Sequence, residues 1–283
     1  MGIIQLTSFN EYGIHPFCNQ LELHFNKFYY GRNSGKWKSC FPLNRLVCIL
    51  ESDGDSSFQH RNDTVPLKRD TAVLLPAFHE ITHDQNESLL LLSIHFNLEL
   101  YYGIDLLEQR KRMWHEVNRE RCDLIRQMLE KPTRLNMTAS LRTLCWDAIL
   151  RCLPGAPELE KNHLPSYTRY EPLFAFLQRN TYMGIDIAQM AEVMRMNRET
   201  FIKKFTADTG ESPKLFFNRL LARRAAHLLS GGERNIREVA DELKFCSEFY
   251  FSRFSAVISE SRRGNSARTA LPCKSPLDRT HFR

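Results

Sequence analysis

Four histidines in the first hundred residues, His60, His79, His83 and His95, are the side chains best suited to metal or acid–base chemistry. His79 and His83 are four apart, a spacing that serves one face of a helix but not neighbouring positions on one face of a strand. No carboxylate completes a metal-ligand set with them, so neither a metal nor a cofactor is expected. The eight cysteines, at positions 18, 40, 48, 122, 145, 152, 246 and 273, include no C-x-x-C pair. That scatter fits neither a zinc clip nor a compact disulfide framework. It implies reduced, mostly buried thiols in a cytoplasmic protein. No Ser-His-Asp pattern, P-loop or dinucleotide fingerprint occurs, and the chain is not expected to be an enzyme.

The elements that must position such residues fall into two groups. A chain of 283 residues is long enough for two domains. The longest apolar run, Leu89 to Leu92 followed by Ser93-Ile94, is too short to span a bilayer. The start "MGIIQLTSFNEYG" has no basic region or small-residue cleavage site, so no signal peptide is expected.

From about 20 to 100 the chain reads as short strands: "LVCIL" (Leu46–Leu50), a turn at Asp53-Gly54, "SSFQH", a turn at Asn62-Asp63, "TAVLLP" and "SLLLLSIHF". This spacing indicates a β-barrel or sandwich. From Leu106 to Cys152 the period becomes helical, with apolar stripes at Leu124, Ile125, Met128 and Leu129, then at Leu141, Leu144, Cys145, Ala148 and Ile149. "CLPGAPELEKNHLPS" carries three prolines and a glycine and reads as an interdomain linker.

After Tyr170 every pattern is helical. Ile187, Met190, Ala191 and Met194 form a stripe that ends before Asn197, a good N-cap. The next helix buries Phe201 and Phe205 and stops at Gly210. A long helix follows from Ser212-Pro213 to Gly231-Gly232. Then Ile236, Val239, Ala240 and Leu243 repeat the stripe, Phe245 closes the turn, and Ser247 caps a helix that buries Phe251. Two short helices joined by a tight turn, the second opened by a capping residue, form the helix-turn-helix pattern, and here it occurs twice in tandem. The charge distribution agrees: residues 1–164 carry 19 basic and 20 acidic side chains, whereas residues 165–255 carry 14 and 11. A basic C-terminal part suits a polyanion.

"IAQMAEVMRMNRETFIKKFTADTGESPKLFF" and "ARRAAHLLSGGERNIREVADELKFCSEFYFSRF", with the distance between them, resemble the AraC/XylS family of bacterial transcription regulators. "LKRDTAVLLPAFHEITH" and "SIHFNL" are similar to the family's cupin-like arm, with Arg69 where the family has glycine. The resemblance implies an α+β chain of two domains. Residues 1–152 would be a cupin-like β-barrel with a helical pair, for effector binding and dimerisation. Residues 153–166 would be a linker, and 167–254 an all-α, homeodomain-like tandem helix-turn-helix. It also implies that double-stranded DNA, a small-molecule effector such as a sugar, a second copy and RNA polymerase are partners, and that no membrane is.

Carried onto this chain, the first recognition helix presents Asn197, Arg198, Glu199, Thr200, Ile202 and Lys203 to DNA. The second presents Ser247, Glu248, Phe249, Tyr250, Ser252 and Arg253. Glu199 suits cytosine N4, Ile202 a thymine methyl, and Lys203 guanine or phosphate. Arg219, Arg223 and Arg224 on the linker helix would touch the phosphate backbone. Lys244 stands where the family has a glycine, and Leu221 where it has a recurrent arginine. Phe58, His60, His79 and His95 are the expected wall of an effector pocket in the barrel mouth. A cupin enzyme with a helical appendage is the alternative from another class.

The family pattern breaks at Ser255. Suitable codons for "RFSAVISESRRGNSAR", with one T restored after the phenylalanine codon, read "RFFRRYFGESPGEFRS", which is the family's ending in register. Residues 255–283 are therefore expected to be the product of a one-base deletion and to be disordered. The second DNA-binding unit would be impaired as a consequence.

Overall fold

The computed structural model describes residues 21–100, 103–108, 110–153, 167–230 and 234–260. Ten strands and eight α-helices are found among them. One sheet has the order β1-β8-β3-β6-β10, formed by Leu21–Arg32, Leu90–Leu100, Asn44–Glu51, Thr71–Leu75 and Trp114–Val117, with β9 (Ile104–Asp105) on β8. The other has the order β2-β7-β4-β5, from Gly35–Cys40, Glu80–Gln85, Ser57–His60 and Asp63–Pro66. No ladder joins the two sheets among the described residues, so the β part is a sandwich and not a closed barrel.

The expected turn at Asp53-Gly54 is not a hairpin. Gly54 has φ +96, but it carries the chain from β3 in one sheet to β4 in the other. The β4–β5 hairpin does form, with Arg61 in the left-handed region and His60 opposite Asp63.

Strand β3 explains the sandwich. It is buried on both faces, which is why "LVCIL" has no polar alternation. Val47 and Ile49 enter the core between the sheets with Phe58, Val65 and Ile81. Leu46, Cys48 and Leu50 face the opposite way, into a core shared with helices α1 (Arg119–Glu130) and α2 (Arg134–Cys152). Arg126 of α1 donates to the Leu50 carbonyl at 3.1 Å and to Asp70 at 2.8 Å, which fixes that helix on the sheet. Helical structure begins only at Arg119; Trp114–Val117 is strand β10, paired with β6. This segment overturns the expected helical period from Leu106, because its residues complete the sheet edge.

The C-terminal part contains α3 (Glu171–Arg179), α4 (Ile187–Val193), α5 (Arg198–Thr209), α6 (Pro213–Ser230), α7 (Ile236–Glu242) and α8 (Glu248–Glu260). Its first half is an aromatic core: Phe205 lies 5.0 Å from Tyr170 and 5.5 Å from Phe216 between ring centroids. The backbone of α8 does not stop at Phe254 but stays helical to Glu260. Residues 261–283, and all but the first residue of the linker at 153–166, lie outside the described residues.

Candidate nucleic-acid interface and effector cavity

The two helix-turn-helix units are built by the same local devices. Asp186 and Gln189 form a capping box at the start of α4; Asn235 and Glu238 form its counterpart at α7. In each turn one residue adopts the left-handed conformation without being glycine, Arg195 (φ 53) and Lys244 (φ 56). The following amide reaches back to an alanine carbonyl: Met196 N to Ala191 O at 2.9 Å, and Phe245 N to Ala240 O at 2.8 Å. The glycine substitution at Lys244 therefore leaves the turn intact, and its ammonium sits 3.7 Å from the Tyr182 ring centroid.

Asn197 caps α5 through Thr200 N at 2.8 Å, and Ser247 caps α8 through Tyr250 N at 3.1 Å. Because Phe201 and Phe205 point inward one turn apart, Arg198, Glu199 and Lys203 are exposed, with Thr200 and Ile202 at the margin. In α8 the inward pair is Phe251 and Phe254, each 5.1 Å from Phe245. Ser247, Glu248, Ser252 and Arg253 face outward. Phe249 is 71% exposed, with the Arg253 guanidinium 5.8 Å from its ring centre, whereas Tyr250 is half-buried against Phe245. An exposed Phe flanked by an arginine suits stacking or a thymine methyl rather than the core.

Arg219 does not share this exposed face. It is ion-paired with Glu108 of the β part at 2.6 Å and with Glu211 at 2.9 Å. Arg223 is buried beside it, and Arg224 lies near Glu242. The sequence placed these arginines by helix membership alone, and partners from a distant segment left no signal in it.

A cavity of about 630 Å³ lies where the open end of the sandwich meets α6 and α8. Phe58 and His95 line it, as expected, but His60 and His79 do not. Those two meet edge to face at 4.6 Å and bond the carbonyls of Glu80 and Ala77 through their Nδ1 atoms. The residues that the sequence reading missed are Arg45, His83 and Gln85. The signal was present: β7 alternates, with Ile81, His83 and Gln85 inward, and Arg45 opens the buried strand β3.

Register brings them together. Arg45 is opposite His95 across β3–β8, and His83 is opposite Trp37 on one side and Phe58 on the other. Arg45 is only 5% exposed, and it sits against neutral groups: Ser39 Oγ at 3.3 Å, His83 Nε2 at 3.4 Å and the face of Phe41 at 4.6 Å. No carboxylate among the described residues is ion-paired with it. Burial pulls its pKa down to about 10. Burial, and then the neighbouring Arg45 charge, pulls His83 to about 3 and His95 to about 4, so both imidazoles are neutral. With Arg45 donating to Nε2, His83 carries its proton on Nδ1. Flipping the Gln85 amide then gives its otherwise unpartnered Oε1 that proton to accept. The result is one desolvated cation at the end of a cavity with aromatic and aliphatic walls: Trp37, Phe41, Phe58, Phe78, Leu229 and Phe251.

Among the described residues no group of three or more His, Cys, Asp or Glu side chains could hold a metal ion. No helix among them is long and apolar enough to cross a membrane.

No protein-family model matches the chain. The transcriptional activator RhaS of Escherichia coli is 27% identical over 143 residues, which is 50% of this chain and 51% of RhaS. The chain thus matches about half the length of these curated relatives. Among solved structures, ToxT from Vibrio cholerae O395 aligns over 84% of this chain and 93% of its own, with a TM-score of 0.50 and 12% identity. Wild-type ToxT from V. cholerae strain SCE256 with an unsaturated fatty acid bound also aligns at a TM-score of 0.50, over 84% and 90% at 10% identity. The chain thus shares its fold with ToxT and, over about half its length, is similar in sequence to the activator RhaS.

Proposed function

We propose that the chain is a sequence-specific DNA-binding transcription regulator, with α5 and α8 as recognition helices in successive major-groove segments. The carrying observation is the pair of turns with matching caps, left-handed residues and backbone hydrogen bonds, each presenting a polar exposed helix face. RhaS and ToxT support this reading by their likeness. Footprinting on DNA upstream of the chain's own gene tests it: two protected segments about one helical turn apart are expected.

The effector is an amphipathic carboxylic acid rather than a sugar. A polyol needs hydrogen-bonding partners on several sides; Asn33, Gln85 and Ser93 also line this cavity, but its walls are mostly apolar around one buried cation. The fatty acid bound to ToxT supports that class. The chain acts as a homodimer through α1 and α2, where Leu135 is 81% exposed, and RNA polymerase is the downstream partner. The tail from Ser255 is the product of a one-base deletion: Phe254 is the last aromatic of the second core, and the family pattern calls for another immediately after it.

A further inference from the structure

The segment that follows β8 is pressed onto helix α6. A Cβ at Gly103 would come within 3.3 Å of Leu220 Cδ1 and 3.5 Å of Phe216 Cζ, so the backbone itself packs on the helix. Asp105 pins this segment to the sandwich, accepting from Asn44 at 2.7 Å, Asn97 at 2.8 Å and Leu107 N at 2.9 Å. Glu108 then closes on two arginines one helical turn apart: Arg223 donates to Oε2 at 2.6 Å, and Arg219 lies 2.6 Å from Oε1. Arg223 also donates to the Gly103 carbonyl and is only 4% exposed.

We propose that Glu108 with Arg219 and Arg223 is a releasable latch that holds α6, and both helix-turn-helix units with it, against the β domain in a state of low DNA affinity. Three features distinguish it from passive packing. A buried ion pair stabilises little more than an apolar pair of the same shape, yet it fails abruptly when one partner is lost, which suits a two-state contact. The three side chains of the latch are charged and readily hydrated once released, so the apolar cost of opening is confined to the contact of Gly103 with Leu220 and Phe216 and to the cavity wall. The helix it grips is also a cavity wall, through Ala222, Ala225, Ala226 and Leu229. Effector and latch therefore bias the same element. Once released, Arg223 is available to DNA phosphates, for which Glu108 is an intramolecular competitor, while Arg219 keeps Glu211 beside it on its own side of the joint.

The DNA consequence rests on the regulator reading; the latch itself does not. Two variants of the full chain separate them. Glu108→Gln opens the latch, whereas the double change Glu108→Leu with Arg223→Met replaces it with an apolar contact that stays shut. Hydrogen exchange of segments 103–108 and 216–224 reads the latch directly, and titration with the upstream DNA fragment reads its effect. Faster exchange and at least about fivefold tighter binding are expected for Glu108→Gln. Its salt dependence should steepen by about 0.9 for each phosphate gained. Wild-type exchange and binding no tighter than wild type are expected for the double variant. Unchanged exchange in Glu108→Gln overturns the latch, and faster exchange with unchanged DNA affinity overturns its regulatory role. If no form binds DNA, the regulator reading fails while exchange still decides the latch.

Discussion

Replacing Arg45 with Met should make the protein more stable and weaken its hold on the effector. The guanidinium is buried with only neutral partners, and its fall from 12.5 to about 10 reflects desolvation. That fall is equivalent to about 3 kcal/mol against the charged form. Methionine removes this cost and fills the same volume. It forfeits two long hydrogen bonds, to Ser39 at 3.3 Å and His83 at 3.4 Å, and the contact with Phe41. Those losses together are about 1–2 kcal/mol, so a net gain of about 1–2 kcal/mol is expected in urea unfolding. A carboxylate ligand loses a charge-assisted bond of about 1.5–3 kcal/mol, or about tenfold to a hundredfold in affinity. Calorimetry with decanoate and decanol on both proteins separates the effects: decanoate should prefer wild type, and decanol should not discriminate. A variant destabilised by more than about 2 kcal/mol that still binds decanoate as wild type does would refute the reasoning.

Phe205→Ala empties a fully buried site among Tyr170, Phe201 and Phe216, and should cost about 3–5 kcal/mol, read as loss of the α5 amide protection in hydrogen exchange. Arg253→Ala should weaken DNA binding uniformly across sequences and flatten the salt slope by about 0.9, whereas Glu199→Ala should change which base is preferred at one position, both measurable by competition binding. Acid should destabilise the sandwich. His83 and His95 sit below their unfolded value of 6.5, so their contribution is whole above that pH and falls as pH drops towards about 4. Asp105, raised by burial to about 6, acts in the opposite direction between about 6 and 4. The His83→Gln, His95→Gln double variant should therefore lose much of that acid sensitivity between about 6.5 and 4 in urea unfolding.

The helical half was legible because its signals are local. Asn197 and Ser247 cap helices from their own side chains, and Phe201 with Phe205 marks the buried stripe within a single turn. The β half was legible only as strands. Whether β3 and β4 form a hairpin or cross between sheets depends on pairing that Asp53-Gly54 does not determine. The cavity was half legible: Phe58 and His95 follow from strand alternation, but His60 and His79 turn to the backbone carbonyls of Glu80 and Ala77. Arg45 drew no reading, although it adjoins the apolar run Leu46–Leu50; in the structure it is buried in β3 opposite His95. The pairing of Arg219 and Arg223 with Glu108 was hidden for the same reason, since Glu108 lies more than a hundred residues away in the chain.

The central claim is two DNA-reading helices on one chain, and footprinting on the upstream DNA tests it most directly. Two protected segments about one helical turn apart are expected. Protection should be strong where α5 docks and weaker where α8 docks, and a chain with the family reading frame restored after Phe254 should equalise them. A single protected segment unaffected by changes at Ser252 and Arg253, or no protection at all, would contradict it.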